Sequence, residues 1–157
     1  STVETSNYDS LKWSKPPERF EGGLGNYAGI LGTSAAVDYI SKINLNDVHE
    51  HEISLNRIMT SILKDVNGLS IIGPENPAQR GGICSLVLDN IDAHDIAILL
   101  DEAAGVMVRS GMHCVHSWFN AKGFNQGSLR ASAYLYNTED EVRLFAETLV
   151  EAVEALG

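Results

Sequence analysis

The sequence predicts an α+β domain in which a small, mostly antiparallel sheet carries helices packed on one face. Three observations predict it. Apolar residues recur at three- and four-residue intervals over 45–67, alternate in period two over 82–89 and 128–136, and the helical and strand runs succeed one another through short connections without a dividing linker.

Taken in order, the first 25 residues are polar, contain proline and end in the glycine-rich "EGGLGN", which reads as an irregular arm. A domain is expected over 26–157. Asn26 is placed to cap a helix running to about Ile43, with Ile30, Ala36, Val37 and Ile40 at helical spacing. The next helix carries Val48, Leu55, Ile58, Met59, Ile62, Leu63 and Val66 on one stripe and stops at Gly68. Strands follow at 69–73 and 82–89, separated by the turn-forming "PENPAQRG". A third helix spans 92–104, with Asp92 as cap, Ile96, Leu99, Leu100 and Ala103 inward and Gly105 as stop. "VMVR" at 106–109 and "SLRASAYLY" at 128–136 read as strands, with a long polar loop over 110–127 between them. Thr138 and Glu141 form a capping box for the last helix, whose inward residues are Val142, Phe145, Leu149 and Val153.

The chain has 157 residues, 21 acidic and 11 basic, for a formal net charge of −10. That balance disfavours nucleic acid, whose phosphates demand clustered Lys and Arg. No apolar run is long enough for a membrane helix and no signal-peptide layout appears, so a cytoplasmic location without a membrane partner is expected. Cys84 lies in an alternating apolar strand and Cys114 in the loop; nothing suggests a secreted disulfide framework, so both are read as free thiols.

The loop stretch "RSGMHCVHSW" concentrates the chemistry. Cys114 can be a nucleophile, favoured as thiolate by Arg109 or by a protonated His113, an inert thiol, or one ligand of a metal site with His113 and His116. The metal reading is weakened because adjacent His and Cys seldom face one ion and no second ligand pair follows. His49 and His51, flanked by carboxylates, read as a solvated helix face, and His94 as a first-turn residue. Arg130 stands in an apolar alternating strand, which calls for an anionic partner: either a structural ion pair or the carboxylate of a ligand.

Three blocks, "RFEGGLGNYAGILGTSAAVDYI", "RGGICSLVLDNIDAHDIAILLDEAAGVMVRSGMHC" and "SLRASAYLYNTEDEV", resemble the carboxy-terminal portion of class V pyridoxal-phosphate enzymes. Within that group they are most similar to Suf-type cysteine desulfurases and selenocysteine lyases. The R-x-G-x-x-C loop is matched by Arg109, Gly111 and Cys114, and the R-A-S-x-x-x-Y-N-T segment by Arg130 to Thr138. The resemblance implies the small carboxy-terminal domain of fold-type I enzymes. It also implies that Cys114 is the sulfur-accepting nucleophile, that Arg130 holds the substrate carboxylate, and that Arg109, Gly111 and His113 organise the loop. The family's cofactor is pyridoxal phosphate, held by a lysine in a large domain upstream of everything matched here. Lys12, Lys15, Lys42, Lys64 and Lys122 match no such motif, so covalent cofactor binding by this chain is not expected. Met112 replaces the first His of the family's "GHHC", and Leu24 stands where relatives carry a phosphate-reaching threonine. The expected partners are the absent large domain, a second copy in the full-length enzyme and a sulfur acceptor. A non-catalytic dimerisation or sulfur-receiving module and a fragment of another class V enzyme are the competing readings.

Overall fold

The computed structural model describes residues 2–157. The chain divides into two compact units, 1–44 and 45–157. The first unit takes in both the amino-terminal arm and the first helix.

The first unit is less irregular than its composition suggests. Strands β1 (Val3–Ser6) and β2 (Leu11–Trp13) form an antiparallel hairpin. Its turn is organised by Asn7, whose Oδ1 accepts from the backbone N–H groups of Asp9 at 3.0 Å and Ser10 at 2.9 Å. A polar Asx turn of this kind leaves no apolar alternation to read. Lys12 Nζ meets Glu4 at 2.6 Å, and the Arg19 guanidinium lies 5.5 Å from the Trp13 ring centre. Helix α1 (Tyr27–Ile40) starts as expected, Asn26 accepting from the Gly29 N–H, yet none of its residues is buried.

The second unit has two layers. Helix α2 (Leu45–Leu63), α3 (Ala93–Ala104) and α5 (Glu139–Leu156) lie against one face of a four-stranded sheet, and the seven-residue α4 (His116–Lys122) lies in the connection between the last two strands. The strands are β3 (Leu69–Ile72), β4 (Ile83–Leu88), β5 (Arg109–Gly111) and β6 (Ser128–Ser132), in spatial order β3-β4-β6-β5 with every neighbouring pair antiparallel. Period-two alternation sends Leu69, Cys84, Leu86, Leu88, Leu129 and Ala131 into the core. There they meet Leu55, Met59 and Leu63 of α2, Ile96 and Leu100 of α3, and Phe145, Leu149 and Val153 of α5. The α+β prediction thus agrees with the structure.

Several boundaries differ. Helix α2 ends at Leu63, and Gly68, expected as its stop, sits left-handed in the turn before β3. Val106 stays tied to the end of α3, its N–H donating to Leu100 O at 3.1 Å after Gly105 turns left-handed, so β5 begins only at Arg109. Strand β6 stops at Ser132, because residues 134–137 close a turn in which Asn137 Oδ1 accepts from the Tyr134 N–H at 2.9 Å. The segment expected as loop contains α4, ended by Gly123 at φ 79°. Ala103, expected inward, is exposed, and Ala93 is buried in its stead.

The capping box is complete: Thr138 Oγ1 accepts from the Glu141 N–H, and the Glu141 carboxylate accepts from the Thr138 N–H at 2.8 Å. The bond from the Thr138 backbone, followed by that from Asn137, holds the Glu141 carboxyl below the usual range. Thr138→Ala is expected to lower unfolding free energy by about 1 kcal/mol, measured by urea denaturation.

Candidate active site

The pleat of β6 sets the geometry. Leu129 and Ala131 point to the helices, so Ser128 and Arg130 lie on the opposite face. Arg109 of β5 is the direct cross-strand partner of Arg130, which places the two residues side by side on that face. Like charges in this position repel unless an anion lies between them. Among the described residues, Lys or Arg is joined to a carboxylate only at Lys12–Glu4 and Lys64–Asp65. Neither arginine of the pair is neutralised, and Arg130 Nε is buried without a hydrogen-bond partner. The structural ion pair weighed for Arg130 is not formed.

The segment after β5 folds back over the same face. Gly111 has φ 112°, and His113 and Cys114 follow at φ 47° and 62°, two consecutive non-glycine residues in the left-handed region. Their conformation is held by the His113 ring, whose Nε2 lies 3.2 Å from Ser128 O and 3.1 Å from Ser128 Oγ. A carbonyl can only accept, so Nε2 carries the hydrogen. Nδ1 is then an unprotonated acceptor, buried without a partner. Burial lowers the His113 pKa below 6.5, opposed by the Ser128 bond and assisted by the positive charges of Arg130 and Arg109. The Phe119 ring of α4, centred 6.2 Å away and buried, packs beside it, with Trp118 edge-on to Phe119.

Gly127 closes the segment. At φ 80° it sits so close to Gly111 that a Cβ would stand 2.4 Å from the Gly111 carbonyl oxygen. The result presents Cys114 to solvent while its neighbours are anchored. Cys84 is the opposite case: it is buried in β4, and burial pushes its thiol up to about 11 against the opposing charge of Arg80. Only Cys114 is placed to react with a molecule arriving from solution.

The structure therefore pairs Arg109 and Gly111 with Arg130 and Ser128 across two strands and pins His113 to Ser128, with the exposed Cys114 next in the chain. Ser128, which anchors the histidine, was missed by the sequence reading; its place two residues before Arg130 in period two is the signal that could have found it. His51 was read as solvated, but it is half-buried, Nε2 lying 2.8 Å from Asn137 O, and links α2 to the turn before α5. His94 Nδ1 lies 3.3 Å from Ser110 Oγ on the helix side of β5. Among the described residues no cluster of three His, Cys, Asp or Glu side chains could hold a metal ion, and no helix is long and apolar enough to cross a membrane.

Residues 1–145 match the family model Aminotransferase class-V. A probable cysteine desulfurase of Xylella fastidiosa is 34% identical over 155 residues, which are 99% of this chain and 36% of that protein. A cysteine desulfurase of Haloferax volcanii is 35% identical over 153 residues, 98% of this chain and 34% of its own length. Among solved structures, an apo cysteine desulfurase from Thermococcus onnurineus matches with TM-score 0.84 and 34% identity, covering 98% of this chain and 38% of its own. A cysteine desulfurase from Escherichia coli, in an S-sulfonic acid form, gives TM-score 0.79 at 25% identity. The chain spans about a third of the length of the relatives it matches.

Two outcomes are expected from this geometry. Gly127→Ala forces both strain and a backbone clash, and should cost about 1–3 kcal/mol in chemical denaturation. An NMR titration of the His113 ring should give a midpoint below 6.5, with the neutral ring carrying its hydrogen on Nε2.

Proposed function

The chain belongs to the class-V aminotransferase family, and on that premise we propose that it is the carboxy-terminal, cysteine-bearing part of a cysteine desulfurase. In this reading Cys114 takes up sulfur, Arg130 with Arg109 beside it holds the substrate carboxylate, and Gly111 and His113 position the thiol. The observation that carries the proposal is the unneutralised Arg109–Arg130 pair on the face over which the Cys114 segment folds. A carboxylate seated between two guanidinium groups relieves their repulsion and meets a planar, forked donor, which Lys would not supply.

Each residue has a defined task. The substrate's carboxylate is oriented on the arginines, and the Cys114 thiolate attacks the substrate sulfur. His113 keeps the segment pinned to Ser128 and, being neutral, adds no third positive charge to the arginine pair. A new S–S bond forms on Cys114 as the carbon–sulfur bond breaks. The electron pair left on carbon needs an acceptor that these residues do not provide.

Pyridoxal phosphate is the cofactor that the family resemblance implies, and the residues of this chain do not fit its covalent attachment. All five lysines are exposed, with Lys12 paired to Glu4 at 2.6 Å and Lys64 lying 3.8 Å from Asp65. A Schiff-base lysine must shed its proton, which requires a desolvated or cationic pocket. The cofactor's lysine and the electron-accepting chemistry belong, in this reading, to polypeptide outside these residues, as do the second copy and the sulfur acceptor of the whole enzyme.

Sulfur uptake can be tested on the 157-residue chain with ready-made sulfur donors. With cysteine persulfide, the Cys114 thiolate attacks the outer sulfur, the donor S–S bond breaks and cysteine thiolate leaves. Mass spectrometry should show one added sulfur on Cys114, reversed by a reducing thiol, none on Cys84 and none in Cys114→Ser. Arg130→Met should slow transfer from cysteine persulfide roughly tenfold or more while leaving transfer from inorganic polysulfide, which has no carboxylate, nearly unchanged. Equal slowing with both donors would remove Arg130 from carboxylate binding; sulfur uptake by Cys114→Ser would remove Cys114 from its role.

A further inference from the structure

We propose that the cavity between the carboxy-terminal end of α2 and the β3–β4 connection is a binding site for a small oxyanion, with Arg80 as its recognition residue. The cavity measures about 440 Å³, and its polar lining comes from Thr60, Lys64, Ser70, Glu75 and Arg80. That volume suits a small ligand. It is distinct from the Arg109–Arg130 face, with which it shares no residue.

Arg80 is 7% exposed, and its guanidinium cannot shed its charge. A buried cation is costly unless an anion compensates it. No carboxylate lies within ion-pair distance among the described residues. The head group makes one hydrogen bond, from Nη2 to Thr60 Oγ1, and Nε is buried with no partner at all. Thr60 gives its own hydroxyl hydrogen to Asn56 O at 2.6 Å, so it serves only as an acceptor. Cys84 offers no negative charge, its thiol being held neutral by burial.

Arg80 is also fixed in place, which separates a built site from a side chain in passing. Asn56 Nδ2 donates to Arg80 O at 3.1 Å and to Gly81 O at 2.8 Å, clamping the backbone on α2. Gly73, at φ 117°, lies beside the aliphatic stem, where a Cβ would stand 3.7 Å from Arg80 Cδ. Backbone and head group are thus each held. What remains free on the guanidinium is hydrogen-bond donors, the complement of a phosphate or carboxylate oxygen. Lys64 adds an exposed positive charge, lying 3.8 Å from Asp65, and Glu75 opposes with a negative one.

The test is a titration of the ¹⁵N-labelled 157-residue chain with inorganic phosphate at constant ionic strength, following arginine Nε–Hε resonances. The Arg80 signal, assigned by its absence in Arg80→Lys, should shift saturably, and phosphate should raise the thermal unfolding midpoint. Arg80→Lys and Arg80→Met should each weaken phosphate binding roughly tenfold or more, and Glu75→Gln should tighten it. Repeating the titration in Arg130→Met separates this site from the sheet face. If the Arg80 resonance ignores phosphate, or moves only on Glu75→Gln, then Glu75 is the partner or there is none, and the proposal fails. Because the wild-type resonance is itself a readout, the test survives even if Arg80→Met does not fold.

Discussion

The alternation of β6 is the constraint on which the second unit depends. Leu129 is fully buried under the helices, and its neighbours Ser128 and Arg130 are thereby committed to the other face. A slip of one residue would drive a guanidinium into the apolar core and turn Leu129 to the opposite face, so the register is set by hydrophobic burial. The reactive arrangement inherits that precision without adding stability of its own. Arg130 faces Ser85 on one side and Arg109 on the other, and the histidine that pins the cysteine segment is bound to the same strand two residues earlier.

Against this rigid strand stands a short connection in a costly conformation. Two consecutive left-handed side-chain-bearing residues, a left-handed glycine before them and a glycine contact closing the segment form a turn that ordinary sequences avoid. The stabilising forces are local: a ring nitrogen on a carbonyl, an aromatic contact with α4, and the buried Phe119. The cysteine itself contributes nothing to this hold. A side chain that must exchange a group with an incoming molecule is thus kept free, while the backbone around it is determined by neighbours on both sides.

Much of this was legible in the sequence. The cap at Asn26, the left-handed stop at Gly105, the box at Thr138 and the inward stripe of Val142, Phe145, Leu149 and Val153 are local signals, and the structure keeps them, whereas Gly68, though left-handed, lies five residues beyond the end of α2. The gathering of Arg109, His113, Cys114 and Arg130 followed from resemblance. Their cross-strand neighbourhood did not, because pairing register is a tertiary property. The hairpin at β1 and β2 was hidden by polar side chains. Helix α4 was hidden by its shortness, and by lying on a face where only Phe119 of its residues is buried. Arg80 looked like one more turn residue; only its burial beside α2 distinguishes it.

The paired arginines have a consequence at long range. The chain as a whole carries −10, so a negatively charged molecule approaching from far away meets repulsion first and the two guanidinium groups only at close quarters. Repulsion from the scattered surface acids is screened beyond about 10 Å at 0.1 M salt, whereas contact with a half-buried guanidinium is screened much less. Modest ionic strength therefore opens the approach before it weakens the landing. For this protein the rate of anion encounter should pass through a maximum as salt is raised, unlike the steady fall of a uniformly basic surface.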